Sequence, residues 1–137
     1  MQGFRDLKVY QLAYKLAMDI FQESKSFPKD ERYSLTDQIR RSSRSVCANM
    51  AEAWRKRRYE RAFVSKLCDS EGEAAETQVW LEFARKCGYM QQKDAVVLHR
   101  TYAGIIGMIV NMITHPGKWV LGWNSQTARG QADTITG

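Results

Sequence analysis

Proline and cysteine are both scarce in this sequence. Two prolines occur among 137 residues, and because an interior proline breaks a helix, so low a count allows long uninterrupted helices. The three cysteines, Cys47, Cys68 and Cys87, form no Cys-x-x-Cys pair, which excludes the usual zinc and dithiol motifs. We interpret them as free thiols, buried as small core residues, in a reducing compartment. The expected location is therefore the cytoplasm.

A long hydrophobic run is also missing. Residues 1–10 alternate polar and apolar side chains, unlike the apolar centre of a signal peptide. The most apolar stretch, residues 102–113, is shorter than the roughly 20 residues that cross a bilayer. We interpret it as part of a core helix and expect no membrane partner.

Few residues suit catalysis or metal binding. His99 and His115 are the only histidines, and neither has an acid three positions before it, whereas di-iron bundles use Glu-x-x-His pairs. Neither shares a local motif with Ser or Cys, although folding can bring such a partner close. Gly117-Lys118 lacks the other residues of a phosphate-binding loop. The sequence thus predicts no enzyme activity, no metal and no cofactor.

One acidic group needs separate mention. Asp69, Glu73 and Glu76 share a helical face at spacings of four and three. Such a carboxylate group can hold a cation. We favour the alternative, a solvated face or ion pairs with arginines of the preceding helix, because charged residues are mostly exposed or paired.

The charge is concentrated in one segment, which we call the basic block. The formal net charge is +6, and residues 40–61 hold eight basic residues against two acidic ones, while the rest of the chain is balanced. The basic residues are Arg40, Arg41, Arg44, Arg55, Lys56, Arg57, Arg58 and Arg61. Arginine forks match phosphate geometry, so the basic block is a candidate nucleic-acid-binding surface. Trp54 and Tyr59 are candidate stacking residues, whereas Phe63 fits core packing better. The alternative is a solvated face opposite acids of helix three.

Hydrophobic periodicity predicts four helices, of which the first two span residues 4–25 and 30–56. Helix one carries one stripe of Leu7, Tyr10, Tyr14, Ala17 and Phe21 and, beside it, a second stripe of Val9, Ala13, Leu16 and Ile20. Together they fill about half of its circumference, and we expect both to be buried. The stripe of helix two is Leu35, Ile39, Ser42, Val46, Met50 and Ala53. If helix two continues far enough, it places Arg40, Arg44, Arg55 and Arg58 within about 60° of each other, away from that stripe.

Helices three and four complete the pattern. The seam of helix three is Phe63, Leu67, Ser70, Ala74, Thr77, Leu81 and Ala84, and Gly88 is its predicted stop. Helix four, residues 91–114, carries a seam of Leu98, Tyr102, Ile105, Ile109 and Met112, beside a second apolar set of Val97, Ile106, Val110 and Ile113. That second set exceeds what one bundle buries and predicts a subunit interface.

The predicted fold is all-α: an antiparallel up-down four-helix bundle over residues 1–115, followed by a C-terminal tail over residues 116–137. Trp119, Val120, Leu121 and Trp123 are too apolar for a plain linker. We expect these four residues to dock on the bundle or on a partner.

Three polar or small residues lie inside the predicted helices. Asn49 and Glu52 follow the apolar stripe closely enough for partial burial; a structural pair between helices and a ligand contact are the two interpretations, and we favour the first. Gly72 costs about 1 kcal/mol relative to alanine in a helix. We interpret it as the site of a close helix crossing.

Several blocks of the sequence, in order, resemble the four-helix-bundle proteins encoded in 23S ribosomal RNA intervening sequences. The blocks are residues 4–11 (FRDLKVYQ), 27–42 (FPKDERYSLTDQIRRS), 49–53 (NMAEA), 63–76 and 88–89. The third is similar to the family's Asn-Ile-Ala-Glu-Gly motif, and the basic run follows it. Ala53 replaces the usual glycine, Glu73 replaces the usual serine after Gly72, and the tail after Pro116 lies outside the shared pattern.

The resemblance implies a left-handed up-down bundle that assembles as a ring-like homo-oligomer, typically a pentamer. Relatives include the accessory protein of diversity-generating retroelements, which binds nucleic acid and a reverse transcriptase. The first hypothesis is therefore a non-enzymatic oligomer that binds RNA or DNA through its basic face. The alternatives are a protein–protein adaptor, with a reverse transcriptase as one such partner, and a passenger protein without a ligand.

Overall fold

The computed structural model describes residues 3–121. Its four α-helices are α1 (Lys8–Ser24), α2 (Leu35–Arg55), α3 (Glu60–Lys86) and α4 (Gln92–Thr114). Short 3-10 turns occupy Phe4–Asp6, Lys29–Glu31 and Pro116–Lys118, and the described residues contain no strand. The predictions of an all-helical protein and of four helices are confirmed.

Two helices are shorter than predicted. Leu7 has extended backbone angles, φ −68° and ψ 127°, so α1 begins at Lys8 and the residues before it form a separate turn. A 3-10 turn also follows Pro28, and α2 begins only at Leu35. At its other end α2 stops at Arg55. Arg58 therefore lies in the following turn, and the condition for a single helical face of Arg40, Arg44, Arg55 and Arg58 is not met.

The end of α3 agrees with the prediction at Gly88. This glycine has φ +80°, a left-handed conformation that side chains with a Cβ rarely adopt. Its amide donates to the carbonyl of Arg85 at 3.0 Å, and the amide of Tyr89 donates to that of Ala84 at 2.8 Å. These two bonds form a Schellman motif, which satisfies carbonyls that the helix end leaves free.

The helices that follow one another in the chain pack together, and the α2–α3 contact is the most extensive. Small polar residues at this contact are fully buried and paired. The hydroxyls of Ser42 and Thr77 lie 2.8 Å apart, and the Ser70 hydroxyl donates to the carbonyl of Val46 at 2.7 Å. Their small volume lets the two helix backbones approach closely, and their pairing offsets the cost of burial.

The buried face of α1 is mainly one of the two predicted stripes. Val9, Ala13, Leu16 and Ile20 are buried. Tyr14, from the other stripe, is 55% exposed, and Phe21 is only partly buried. The prediction that both stripes are buried was therefore wrong for the Tyr14 stripe, of which only Leu7 and Ala17 are buried.

The predicted seam of α4 is buried in full, whereas its second apolar set is not. Of this set, Val97 is 58% exposed, and Val110 is also exposed. Met108, which lies outside the set, is exposed as well. By length and composition alone the 23-residue helix could cross a membrane, and 28% of its most apolar window is buried. Residues 102–113 alone are too short to cross a bilayer, whereas the whole of α4 is long enough. Core helices of soluble proteins meet the same length and composition criterion.

Connections between helices meet in two groups. The Tyr89 hydroxyl, after α3, donates to the Glu31 carboxylate, before α2, at 2.8 Å. Trp119, after α4, lies with its ring centroid 6.4 Å from that of Trp54, near the end of α2, and Val120 also packs on the core. The start of the predicted tail therefore docks on the bundle as expected, while Trp123 and the remaining tail lie outside the described residues.

Candidate nucleic-acid interface

The structure divides the basic block into two clusters. Arg40, Arg41 and Arg44 belong to the middle of α2, while the remaining five basic residues surround the turn between α2 and α3. A helix rises about 1.5 Å per residue, so Arg40 and Arg55 are separated by about 22 Å along α2. The block is therefore not one continuous surface.

Phe21 of α1 gathers three cationic groups, which we call the Phe21 cluster. The guanidinium carbon of Arg40 lies 4.8 Å from the centre of the ring, that of Arg44 lies 5.8 Å away, and the Lys25 ammonium lies 4.9 Å away. Contacts of this kind are attractive because the ring face is negative. Arg40 is fixed further, since its Nε donates to the Ser24 hydroxyl at 2.7 Å.

Within the described part of the chain, the cations of this cluster have no carboxylate partner. Among residues 3–121, neither Lys25 nor Arg40 nor Arg44 takes part in an ion pair. Three like charges around one ring repel each other and concentrate positive potential at the surface. Such a surface attracts anions, and the two arginines can present donors to phosphate oxygens.

Arg41 has a different environment although it is the next residue. Its guanidinium forms ion pairs with Glu73, at 3.3 Å, and with Glu76. The hydrogen bond that Arg41 donates to the Glu73 carboxylate is the main reason that the pKa of Arg41 is raised. Asp69 forms an ion pair with Lys66, whose Nζ lies 3.7 Å from a carboxylate oxygen of Asp69. The favoured interpretation of these three acids, ion pairing rather than a cation site, agrees with this geometry and places Arg41 in a structural role.

Arg57 is also occupied by internal contacts. Its guanidinium lies 3.6 Å from the centre of the Trp54 ring, and its Nε donates to the carbonyl of Trp54 at 2.9 Å. Burial, followed by the charge of Arg55, lowers the pKa of Arg57. The carbonyl of Arg57 in turn accepts a hydrogen bond from Leu121 at 3.1 Å. Arg57 thus holds the turn against the segment after α4.

The rest of the turn is open. Arg55, Lys56, Arg58 and Arg61 are exposed and form no ion pair within the described range. Of the aromatic residues predicted to stack on bases, Trp54 is buried and therefore unavailable. Tyr59 is 64% exposed, and Phe63 is fully buried as expected.

A groove on the outer side of α2 joins arginines to an aromatic side chain that the sequence analysis did not single out. The groove has a volume of about 610 Å³ and is lined in part by Arg32, Tyr33, Asp37, Arg40 and Arg44. Tyr33 is 84% exposed. Periodicity gave no sign of it, because Tyr33 belongs to no apolar stripe of the predicted helix two.

Of the four residues predicted to be structural, three lie at one groove and Glu52 does not. Asn49, Gly72 and Glu76 line a shallow groove of about 460 Å³ between α2 and α3. The side-chain amide of Asn49 donates to the carbonyl of Ser45, four residues earlier, at 2.9 Å. Glu52 is exposed and lies 3.5 Å from Lys66 of α3. Asn49 and Glu52 therefore do not form the predicted pair.

Gly72 is not the close helix crossing that was predicted. A Cβ placed at this position meets no heavy atom within 4 Å. The seam of α3 instead turns Ser70 and Ala74 toward the core, so Gly72 points to the outside. The prediction was wrong because it rested on residue type and not on position relative to the seam.

The thiols and histidines complete the account of reactive groups. Cys47 is buried, and burial raises the pKa of its thiol to about 11. Cys68 and Cys87 are exposed, so the prediction that all three are core residues was wrong for these two. His99 Nε2 lies 2.8 Å from a carboxylate oxygen of Glu82. In the part of the chain that the structure describes, no three His, Cys, Asp or Glu residues are placed to hold a metal ion.

Comparison with known proteins identifies a family for this chain and a solved structure of similar fold. The family model of the 23S rRNA-intervening sequence proteins matches residues 5–111. The chain belongs to this family. A protein of unknown function from the S23 ribosomal protein family of Bacteroides thetaiotaomicron has a similar fold, with a TM-score of 0.69 and 24% sequence identity. The match covers 77% of this chain and 97% of that one. The search of curated proteins found no match.

Proposed function

We propose that this member of the 23S rRNA-intervening sequence protein family is a non-enzymatic protein of the cytoplasm that binds nucleic acid. The observation that carries the proposal is the Phe21 cluster, in which Lys25, Arg40 and Arg44 surround one ring without an ion-paired carboxylate among residues 3–121. These cations therefore lack the carboxylate partners that the adjacent Arg41 has in Glu73 and Glu76. Phosphate oxygens of a nucleic acid supply the missing negative charge.

The fixed position of Arg40 supports phosphate binding. Its bond to Ser24 and its contact with the Phe21 ring hold the guanidinium before a ligand arrives. A long side chain that is already ordered loses less entropy on binding. Phosphate contacts carry little sequence information, so binding is expected to be only mildly sequence-selective.

We also propose that the helices alternate in direction as an antiparallel, left-handed up-down bundle and that the protein forms a homo-oligomer, a ring-like pentamer as the family resemblance implies. The two groups of connections support alternation: Tyr89 reaches Glu31, and Trp119 reaches Trp54. The exposed apolar side chains of α4 support self-association, because a soluble monomer rarely leaves such surface open. A ring would repeat the Phe21 cluster and strengthen weak contacts through avidity.

The test compares wild type with the double variant Arg40→Gln/Arg44→Gln in a salt titration with labelled RNA and DNA. The control is Arg85→Gln/Arg100→Gln, which removes the same charge from two exposed arginines that line a groove between α3 and α4. Each lost phosphate contact lowers the slope of log K against log salt by about 0.9 for a duplex and about 0.7 for a single strand. We expect the first variant to lose binding and the control to stay close to wild type.

Thermal melting of all three proteins shows whether the losses reflect unfolding. Wild-type protein that binds no nucleic acid at low salt would refute the proposal. It would favour the adaptor hypothesis, in which the basic face meets an acidic protein partner or a protein–nucleic-acid complex such as one with a reverse transcriptase. Equal losses in both variants would show that net charge alone is responsible. Light scattering gives the oligomer number, and a mass near the 15.8 kDa of the monomer would refute self-association.

A further inference from the structure

Tyr33 separates two hollows of different character. On one side lies the groove of α2 with Arg32, Arg40 and Arg44. On the other side, Tyr33 lines a hollow of about 450 Å³ together with Trp80 and Phe83 of α3. The rings of Trp80 and Phe83 have centroids 6.0 Å apart, and Phe83 is 54% exposed. A cationic groove therefore continues past an exposed ring into an aromatic hollow.

We propose that this surface binds single-stranded nucleic acid, with phosphates on Arg40 and Arg44 and a base stacked on Tyr33. The proposal rests on the proposed function and adds the strand type and a residue that reads the base face. Base faces are available in a single strand but are covered by their neighbours in a duplex. Aromatic side chains beside a positive groove are the usual means of holding unpaired bases.

The exposure of Tyr33 is what separates this role from a structural one. With 84% of its surface open, the ring contributes little to the core, so its removal should not unfold the protein. Its guanidinium neighbour, Arg32, lies 5.9 Å from the ring centre. Arg32 therefore covers one side of the Tyr33 ring, and a base would stack on the other side.

Charge in the groove is positive but not uniformly so. Arg41 is neutralised by Glu73 and Glu76, which leaves Arg32, Arg40 and Arg44 against the carboxylate of Asp37. Asp37 repels phosphate wherever the strand passes it. We therefore expect Asp37→Asn to bind single strands more tightly than wild type, by a few-fold, through the loss of this repulsion.

The experiment measures affinity for short oligouridine, for oligothymidine and for a duplex of the same length, at fixed low salt. The variants are Tyr33→Ala, Tyr33→Phe and the control Tyr14→Ala, which removes another exposed tyrosine outside the groove. Loss of one stacked base is expected to weaken single-strand binding by about 5- to 150-fold. Tyr33→Phe should keep the affinity, because stacking needs the ring and not the hydroxyl.

The expected result is a loss confined to Tyr33→Ala and to single strands, with duplex binding and the control unchanged. Comparison of oligouridine with oligothymidine shows whether RNA or DNA is preferred. If Arg40→Gln/Arg44→Gln loses single-strand binding but Tyr33→Ala does not, the stacking role is refuted and the proposed function stands. If Tyr33→Ala weakens single strand and duplex equally, strand selection by stacking is refuted. Wild type that binds no nucleic acid refutes both.

Discussion

Replacement of Gly72 by alanine is expected to stabilise the protein. Gly72 lies inside α3 with helical backbone geometry and no positive φ, so alanine introduces no backbone strain. A Cβ meets nothing within 4 Å, so it introduces no collision. What remains is helix propensity, which favours alanine over glycine by about 1 kcal/mol in a helix interior. For a chain of this length that corresponds to a rise in Tm of about 3–5 °C.

The matched control is Gly88→Ala, the same chemical change with the opposite expectation. A Cβ at Gly88 also meets nothing within 4 Å, but its φ is +80°. A left-handed backbone with a Cβ costs about 1–2 kcal/mol, so this variant should be less stable than wild type by about that amount. The two variants together separate propensity from backbone conformation.

The measurement is urea unfolding followed by circular dichroism, at one protein concentration because an oligomer's stability depends on concentration. Unchanged m-values would show that both variants unfold between the same states. A Gly72→Ala protein that is less stable than wild type would refute the reasoning and would mean that a neighbouring copy or another segment packs against this position. The variant Gly72→Leu then shows whether this position is open or packed, because a larger side chain is tolerated only on an open surface.

Three further predictions use the same assays. Tyr102→Phe should raise the free energy of unfolding by about 1 kcal/mol, because the buried Tyr102 hydroxyl has no hydrogen-bond partner among the described residues; a loss of stability would reveal a partner. Hydrogen bonds from the hydroxyls of Ser34 and then Tyr89 lower the pKa of Glu31. The ionised carboxylate therefore stabilises the fold at pH values above the ordinary Glu pKa, and this stabilisation is lost as the pH falls through the lowered pKa. Glu31→Gln should therefore reduce the difference in Tm between about pH 7 and about pH 3, and an unchanged difference would contradict the assignment. Trp119→Ala should cost about 1–2 kcal/mol through loss of its contact with Trp54, and wild-type stability would show that the docked segment is not held by this contact.

Periodicity predicted the number of helices and three of the four buried seams because a core-facing residue recurs every three or four positions whatever its neighbours are. In helix one it gave two stripes, and the expectation that both are buried failed for one of them. Val9 and Ala13 are buried while Tyr14 is open, yet both stripes are equally regular in the sequence. The choice depends on where α2 and α4 lie, and no local pattern records that. Gly72 failed for a related reason: glycine permits a close approach but does not require one.

The candidate site was harder to predict than the fold. The sequence located the basic block, and the structure shows that two of its arginines, Arg40 and Arg44, lie around Phe21, a residue assigned to an apolar stripe. The cluster forms only because α1 brings Phe21 and Lys25 beside α2. Tyr33 was missed because it lies off the apolar stripe of the predicted helix two and has no periodic partners.

Two adjacent arginines show why net charge alone does not locate a binding surface. Arg41 points to α3, where Glu73 and Glu76 neutralise it. Arg40 points to α1, where it meets an aromatic ring, a serine hydroxyl and other cations but no ion-paired carboxylate within the described residues. Since both carry the same formal charge, only the helix that each one faces decides whether it is free to bind an anion. The capacity for phosphate therefore depends on the α1–α2 contact, and a change at Phe21 should reduce nucleic-acid affinity even though it removes no charge.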